Sequence, residues 1–492
     1  MVPQKRKQDH VTGKSDPYSF HPPHPRNSIM PSLLHASPAS KKRVCLQERF
    51  YSQQPRSYIF PPEILEQILG ELLNDRKSTS IYSALRNVSS CLLVSKSFYL
   101  ASLPVLYTHI PVSHSAQFSA LLHHLKEYPY MGKLVRCLDF SGFNPVGLGR
   151  TERENAQVMD LTATTLSECL DLTPNLQEFL VNVHMENDID ELVLRNLFSL
   201  KRLEAVDFCA CSSESFIQAF QHISTTSFFS PSLRRVSFHE CSRLPPSVYE
   251  HMIPYLPNLT HLDVTHTQIL AQTLRAISPS ARLTHLSIAK CPNIPGDTIA
   301  SFLMTHPAVQ ELFYLNLHHD PTLQHPLSEE LLNLLLPSLP STIQQLILDG
   351  AVLSAEQLKL LPHTLTELSI AFSGAETDDV VQLLETDGCR LEYLNMTGLQ
   401  LDAFTMHRNG IFLHGPVRVY EVSEKLRTSL LEDRSDVPWE VVLGRGTRGW
   451  YVHSDEVRAS GGIPKWCSHK VDCCESLERV RGMYSYYSFS RL

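Results

Sequence analysis

One short phrase of sequence returns again and again along this chain. Leu283, Leu286 and Ile288 set an x-x-Leu-x-apolar rhythm of a short strand, Cys291 and Ile294 continue a buried edge, and Thr298 to Leu303 carries helical spacing. Strand, turn and helix therefore make one unit. Such a unit is apolar on too many sides to fold alone and needs copies of itself stacked on both flanks. The copies are present: Val135/Leu138/Phe140, Leu176/Phe179/Val181, Leu203/Val206/Phe208, Leu233/Val236/Phe238, Leu259/Leu262/Val264, Val309/Leu312/Tyr314, Ile343/Leu346/Leu348, Leu365/Leu368/Ile370 and Leu391/Leu394/Met396. From Leu176 onward the starts are about 22 to 34 residues apart and mostly near 26, the step of a leucine-rich repeat. The expected fold is α/β, a leucine-rich-repeat solenoid (horseshoe) of about ten repeats over residues 111–404. A plain helical solenoid is the competing reading.

Three units place a cysteine eight positions after the first leucine: Cys211, Cys241 and Cys291. This resembles the cysteine-containing leucine-rich repeats often found in F-box proteins, where that thiol packs inside the turn. The twelve cysteines lack the dense pairing of a secreted disulfide scaffold and read as reduced thiols.

Ahead of the repeats, residues 58–110 change character. Pro61-Pro62-Glu63 starts a helix, because proline has a pre-set φ and an acidic first turn faces the positive end of the dipole. Ile64, Leu65, Ile68, Leu69 and Leu72 then give one apolar face, and a second helical segment runs through Leu92, Leu93, Val94, Phe98 and Leu100. The succession Phe60-Pro61-Pro62-Glu63-Ile64-Leu65-Glu66-Gln67-Ile68-Leu69, then Leu93-Val94-Ser95-Lys96-Ser97-Phe98, then Pro104-Val105-Leu106-Tyr107 resembles an F-box. Phe60 stands where that family usually has leucine, and the connection from Gly70 to Ser90 is longer and more polar. A small all-α F-box-like domain therefore precedes the solenoid, and the alternative is a helical cap that shields its end.

The resemblance implies docking onto the Skp adaptor of a cullin–RING ubiquitin ligase, with Pro61, Pro62, Ile64, Leu65, Ile68, Leu93, Val94 and Phe98 as the adaptor contacts. It implies that the repeats present a protein substrate for ubiquitin-dependent proteasomal degradation. Alternation along each strand puts an exposed row on the concave face, with Arg235, His239, His261, Asp263, His285, Glu367 and Tyr393 as the substrate-facing candidates. The other reading is a solvated strand face, and the other function is a non-degradative interaction scaffold.

Residues 1–57 hold ten Lys/Arg against three Asp/Glu and little apolar periodicity, the composition of a disordered basic arm. Its clusters Lys5-Arg6-Lys7 and Lys41-Lys42-Arg43 fit nuclear import or simple solvation. With a net charge of −8 overall, the remainder is near −15, which argues against nucleic-acid binding by the solenoid. No run approaches 18 apolar residues and no apolar stretch follows the N-terminal basic cluster, so neither a membrane span nor a secretory signal is expected. The expected location is intracellular, in cytoplasm and/or nucleus.

Residues 405–492 look like a capping region or small appended module, with strands at Trp439–Leu443 and Trp450–Val452. Gly444, Gly446 and Gly449 satisfy G-x-G-x-x-G, but a strand rather than a helix follows, which speaks against nucleotide binding. Cys467, His469, Cys473 and Cys474 are soft ligands, yet adjacent cysteines share one zinc tetrahedron poorly. No nucleophile elbow, H-E-x-x-H helix or P-loop occurs. The expectation is therefore no catalytic, cofactor or metal residue, and a non-catalytic subunit.

Overall fold

The computed structural model describes residues 60–73, 81–144, 161–224, 229–401, 417–432, 439–443 and 449–454. The basic arm, Gly444, Gly446 and the Cys467–Cys474 group lie outside the described residues.

Three helices come first: α1 (Pro62–Leu73), α2 (Ile81–Cys91) and α3 (Lys96–Thr108). Pro62 opens α1, as its missing amide and fixed φ favour. The connection that reads as polar between Gly70 and Ser90 contains α2, whose Val88 is fully buried. Leu92 to Val94 form a turn, and α3 starts only after Ser95, whose hydroxyl accepts from the Phe98 amide at 3.3 Å. This helix tolerates Pro104 and runs to Thr108, so the third motif of the block is helical throughout.

His109 then begins a continuous sheet. Strands β1 (His109–Pro111), β2 (Cys137–Asp139), β3 (Glu178–Val181), β4 (Ala205–Phe208), β5 (Arg235–Ser237), β6 (His261–Asp263), β7 (His285–Ser287), β8 (Tyr314–Asn316), β9 (Gln345–Ile347), β10 (Glu367–Ser369), β11 (Tyr393–Asn395) and β12 (Val419–Val422) pair in chain order, each parallel to the next. The ten apolar units coincide with β2 to β11. Between strands the chain returns through a helix or 3-10 turn, the crossover that parallel pairing requires. The structure is a leucine-rich-repeat solenoid.

One unit sits three residues later than the sequence suggests. In the eighth strand the inward residues are Leu312, Leu315 and Leu317, and Tyr314 pairs with His285 in the outward row. The sheet also continues past residue 404. Val417, Tyr420 and Val422 repeat the apolar triplet with β-branched and aromatic residues, and the helix Glu424–Glu432 follows. Strands β13 (Trp439–Leu443) and β14 (Gly449–His453) form an antiparallel hairpin, and β14 pairs antiparallel to β12. The hairpin occupies the last edge of the sheet.

The core is a column in which each strand's middle residue is buried, from Ile110 through Leu286 to Tyr420. Between β4 and β5 it turns aromatic: Phe208 stacks on Phe238 at 5.8 Å and meets Phe220 edge-on at 5.1 Å. Seven strands exit through a left-handed residue: Ala210, Glu240, His266, Lys290, Gly350, Phe372 and Gly398 all have positive φ at the same point of their repeats. One residue later the repeat cysteines turn inward. The Cys241 and Cys291 thiols donate to the Phe208 and Val264 carbonyls of the preceding repeat at 3.1 and 3.0 Å, and Cys211 reaches the Asn182 carbonyl at 3.5 Å. Each thiol is a second donor to its carbonyl: Phe208 also accepts the Cys211 amide, Val264 the Thr267 hydroxyl and Asn182 the Met185 amide.

Candidate protein-interaction sites

The helical block has a very small core of its own. Leu65, Leu69, Val88 and Ala101 are buried, with Cys91, Phe98, Val105 and Leu106 packed partly against them. Leu65 therefore holds α1 onto the block instead of facing outward, and Phe98 is half-buried for the same reason.

What the block cannot bury, it displays. Ile64, Ile68 and Leu72 recur every four residues along α1 and form an exposed stripe beside the buried Leu65/Leu69 face. Leu93 is 90 % exposed and Val94 63 %, held in the turn before α3, and Pro61 and Pro62 are exposed where α1 starts. Phe60, Tyr99 and Leu100 add to the apolar surface of the same three-helix unit. So much apolar surface on so few residues makes this block the first candidate interaction site.

The second candidate is the outward row of the solenoid. Parallel register places Glu178, Ala205, Arg235, His261, His285, Tyr314, Gln345, Glu367 and Tyr393 side by side. Arg235 reaches over the small Ala205 and pairs with Glu178. His261 and His285 stack with centroids 4.1 Å apart, and His285 continues onto Tyr314 at 5.8 Å. Each of these histidines has its Nδ1 at 2.9 Å from the hydroxyl of the preceding threonine, Thr260 or Thr284. Burial pushes His261 down to about 3, with His285 and Arg235 adding to the shift, and pushes His285 down to about 4. Both rings are neutral at physiological pH. Further along, Gln345 donates to Glu367 at 2.9 Å, and the Tyr393 hydroxyl donates to the Glu421 carboxylate.

Asp263 lies two residues beyond the row and His239 four, and both are buried, bonded to each other at 3.1 Å. Burial lowers the His239 pKa, but the charge and hydrogen bond of Asp263 outweigh it, and the net shift is upward. Asp263 also accepts from the Thr265 amide at 2.9 Å. Of the seven sequence candidates, then, Arg235, His261, His285 and Glu367 line the half-exposed row, while His239, Asp263 and Tyr393 are buried braces within it. At the centre of the row stands an aromatic stack of His261, His285 and Tyr314, flanked by the Arg235–Glu178 pair on one side and Glu367 on the other.

Chemistry of other kinds finds no support among the described residues. No group of three or more His, Cys, Asp or Glu side chains is arranged to hold a metal, and no helix is long and apolar enough to cross a membrane. The eight described cysteines are all free thiols. Gly449, the last glycine of the motif, pairs with Leu443 and begins a strand, where a phosphate cradle would begin a helix.

Helical block and solenoid together define a leucine-rich-repeat protein with an F-box-like N-terminal block. Its sequence is 29 % identical over 291 residues to the F-box protein YLR352W of Saccharomyces cerevisiae (strain ATCC 204508 / S288c), a match covering 54 % of this chain. It spans 36 % of that relative's length. Among solved structures, the chain resembles one in the crystal structure of the yeast Rad7 and Elc1 complex, with a TM-score of 0.46, 13 % identity and 72 % and 86 % of the two chains covered. It also resembles the leucine-rich-repeat-containing protein LegL7 from Legionella pneumophila, with a TM-score of 0.34, 12 % identity and 56 % and 96 % covered. No protein-family model matches the chain.

Proposed function

We propose that this protein is the substrate-recognition adaptor of a Skp–cullin–F-box ubiquitin ligase. The helical block docks the Skp adaptor and, through it, cullin and RING subunits, while the repeats hold a protein substrate destined for degradation. The observation that carries the reading is the exposed apolar surface of α1 and the turn before α3. Burying a large side chain such as Ile64, Ile68, Leu93 or Val94 against a partner contributes roughly 1.5–3 kcal/mol each, enough to fix a small block that has little core of its own. The chain's own contribution to ubiquitination is positioning: it raises the local concentration of substrate near the charged enzyme. Such an adaptor works inside the cell, in cytoplasm, nucleus or both, where its free thiols stay reduced.

The test is co-purification of full-length protein with the Skp adaptor and cullin, comparing wild type with the triple variant Ile64→Asp/Ile68→Asp/Val94→Asp. These positions are exposed, so the repeats stay folded by circular dichroism. Wild type should retain both partners and the variant neither. Recovery of the adaptor without cullin favours a non-degradative scaffold, and recovery of neither by wild type overturns the proposal.

A further inference from the structure

Along the edge where the strands end, three successive repeats expose an apolar side chain. Leu323 follows β8 and is 62 % exposed, Val352 follows β9 at 59 %, and Phe372 follows β10 at 42 %. Their loops are stacked: the His319 amide donates to the Asp349 carbonyl at 3.0 Å, Gly350 donates to Ala371 at 2.8 Å, and Phe372 donates to Thr397 at 2.9 Å. Leu323 belongs to the loop whose Pro321 lies over Gly350.

Phe372 carries the strongest signal. Its φ is +55°, a region that costs a bulky residue on the order of 1 kcal/mol, and the repeats on either side use Gly350 and Gly398 at the same point. Other repeats place Ala210, Glu240, His266 and Lys290 at this point, so the turn itself does not require an aromatic. The Phe372 ring lies flat over Gly398, where any Cβ would collide with it. A pre-seated, partly exposed aromatic on this edge is what a binding anchor needs.

The electrostatics name the partner. From Lys290 to Arg390 the chain carries thirteen Asp/Glu against Lys290, Lys359 and Arg390, a local charge of −10 that accounts for most of the acidity of the body. On this edge the helices that follow the three apolar residues begin with exposed carboxylates, among them Glu330, Glu356 and Glu376. Such a field repels nucleic acid and anionic lipid and attracts cationic polypeptide.

We propose that the edge bearing Leu323, Val352 and Phe372 is the docking site for a Lys/Arg-rich polypeptide segment that carries apolar anchor residues. This rests on the reading of the repeats as the substrate-presenting part. It places the primary contact at the strand ends and leaves the histidine row behind it as a neutral wall.

The test uses full-length protein and three dye-labelled 16-residue probe peptides followed by fluorescence anisotropy. The first interleaves Lys/Arg with Leu and Phe, the second replaces every basic residue by Glu, and the third replaces every Leu and Phe by Ser. The first should bind at least tenfold tighter than either control and weaken steeply as salt is raised. Phe372→Gly should weaken it at least tenfold without lowering the thermal midpoint, since glycine accepts this φ freely, and Val352→Ser should weaken it less. Equal binding of the acidic probe, or an unchanged affinity in Phe372→Gly, overturns the proposal. Adaptor co-purification on the same samples separates the two readings. An adaptor retained with no binding of the basic probe sinks this inference alone, whereas probe binding without adaptor sinks the ligase reading and leaves the edge site standing.

Discussion

The imidazoles of His261 and His285 lie face to face, 4.1 Å apart with only 9° between their planes, because parallel pairing of β6 and β7 places them directly opposite. Stacking at that distance suits neutral rings, and burial keeps them so, with His261 near 3 and His285 near 4. In the unfolded chain both return to about 6.5. As pH falls below that value the unfolded state takes up protons that the folded state refuses, so stability declines with acidity until the folded values are reached. Between about pH 6 and 4 the slope should reach about 1.4 kcal/mol per pH unit for each histidine. Urea titrations across this range check it. The double variant His261→Phe/His285→Phe should flatten the slope, and an equally steep slope in that variant would show that other groups carry it.

The repeat thiols should be chemically silent. Burial raises Cys211 and Cys241 well above the ordinary thiol range and Cys291 to about 12, and all three thiols donate to backbone carbonyls inside the turns. The thiolate is the nucleophile, so alkylation needs unfolding first. Iodoacetamide at pH 8 should leave these three unmodified in native protein and modify them fully in denaturant, read by peptide mass spectrometry. Cys241→Ala should cost about 1–2 kcal/mol, from the cavity and the lost thiol hydrogen bond, while the Phe208 carbonyl keeps the Cys211 amide at 3.0 Å.

Most of this architecture was legible because leucine spacing is dictated by geometry: a residue that must face the core of a parallel strand can be little else. Where the rule loosened, the reading slipped. Tyr314 is apolar enough to pass for a core residue, and Val417/Tyr420/Val422 lacks leucine altogether, so the spacing places one strand three residues early and hides another. The exposed apolar face of α1 was legible in part, because α1 is apolar on two adjoining faces and only packing reveals that Leu65 and Leu69 turn inward while Ile64 and Ile68 turn out. Neutral histidines and the left-handed Phe372 were not legible at all, since both depend on neighbours supplied by other repeats.

Two glycines separate steric from conformational cost. A methyl group on Gly296 would overlap the Pro326 carbonyl, so the start of the helix Gly296–Thr305 approaches the next loop more closely than any side chain allows. Gly374, at φ +78°, has nothing within 4 Å of the same position and needs only its backbone freedom. Gly374→Ala should therefore cost about 1 kcal/mol, whereas Gly296→Ala should cost more than about 2 kcal/mol, because backbone must move in two repeats. Chemical denaturation of both variants decides it. Equal costs would mean that the loop at Pro326 yields easily.

Arg235 and Glu178 pair across two strand spacings, over Ala205, with 15 % and 20 % of their side chains exposed. A pair so sheltered is screened less than a surface one, and truncating either partner leaves the other charge poorly solvated. Arg235→Ala should destabilise by about 1–3 kcal/mol, and a double-mutant cycle with Glu178→Ala should return a coupling of about 1 kcal/mol or more. Enlarging Ala205 tests the geometry independently: Ala205→Leu fills the space that the guanidinium crosses, and it should abolish most of that coupling even though neither charge is touched. If the coupling survives in the Ala205→Leu background, the two side chains meet by another route. If it is absent in wild type, Arg235 is available to a partner's carboxylate and the solenoid row is more cationic than its register implies.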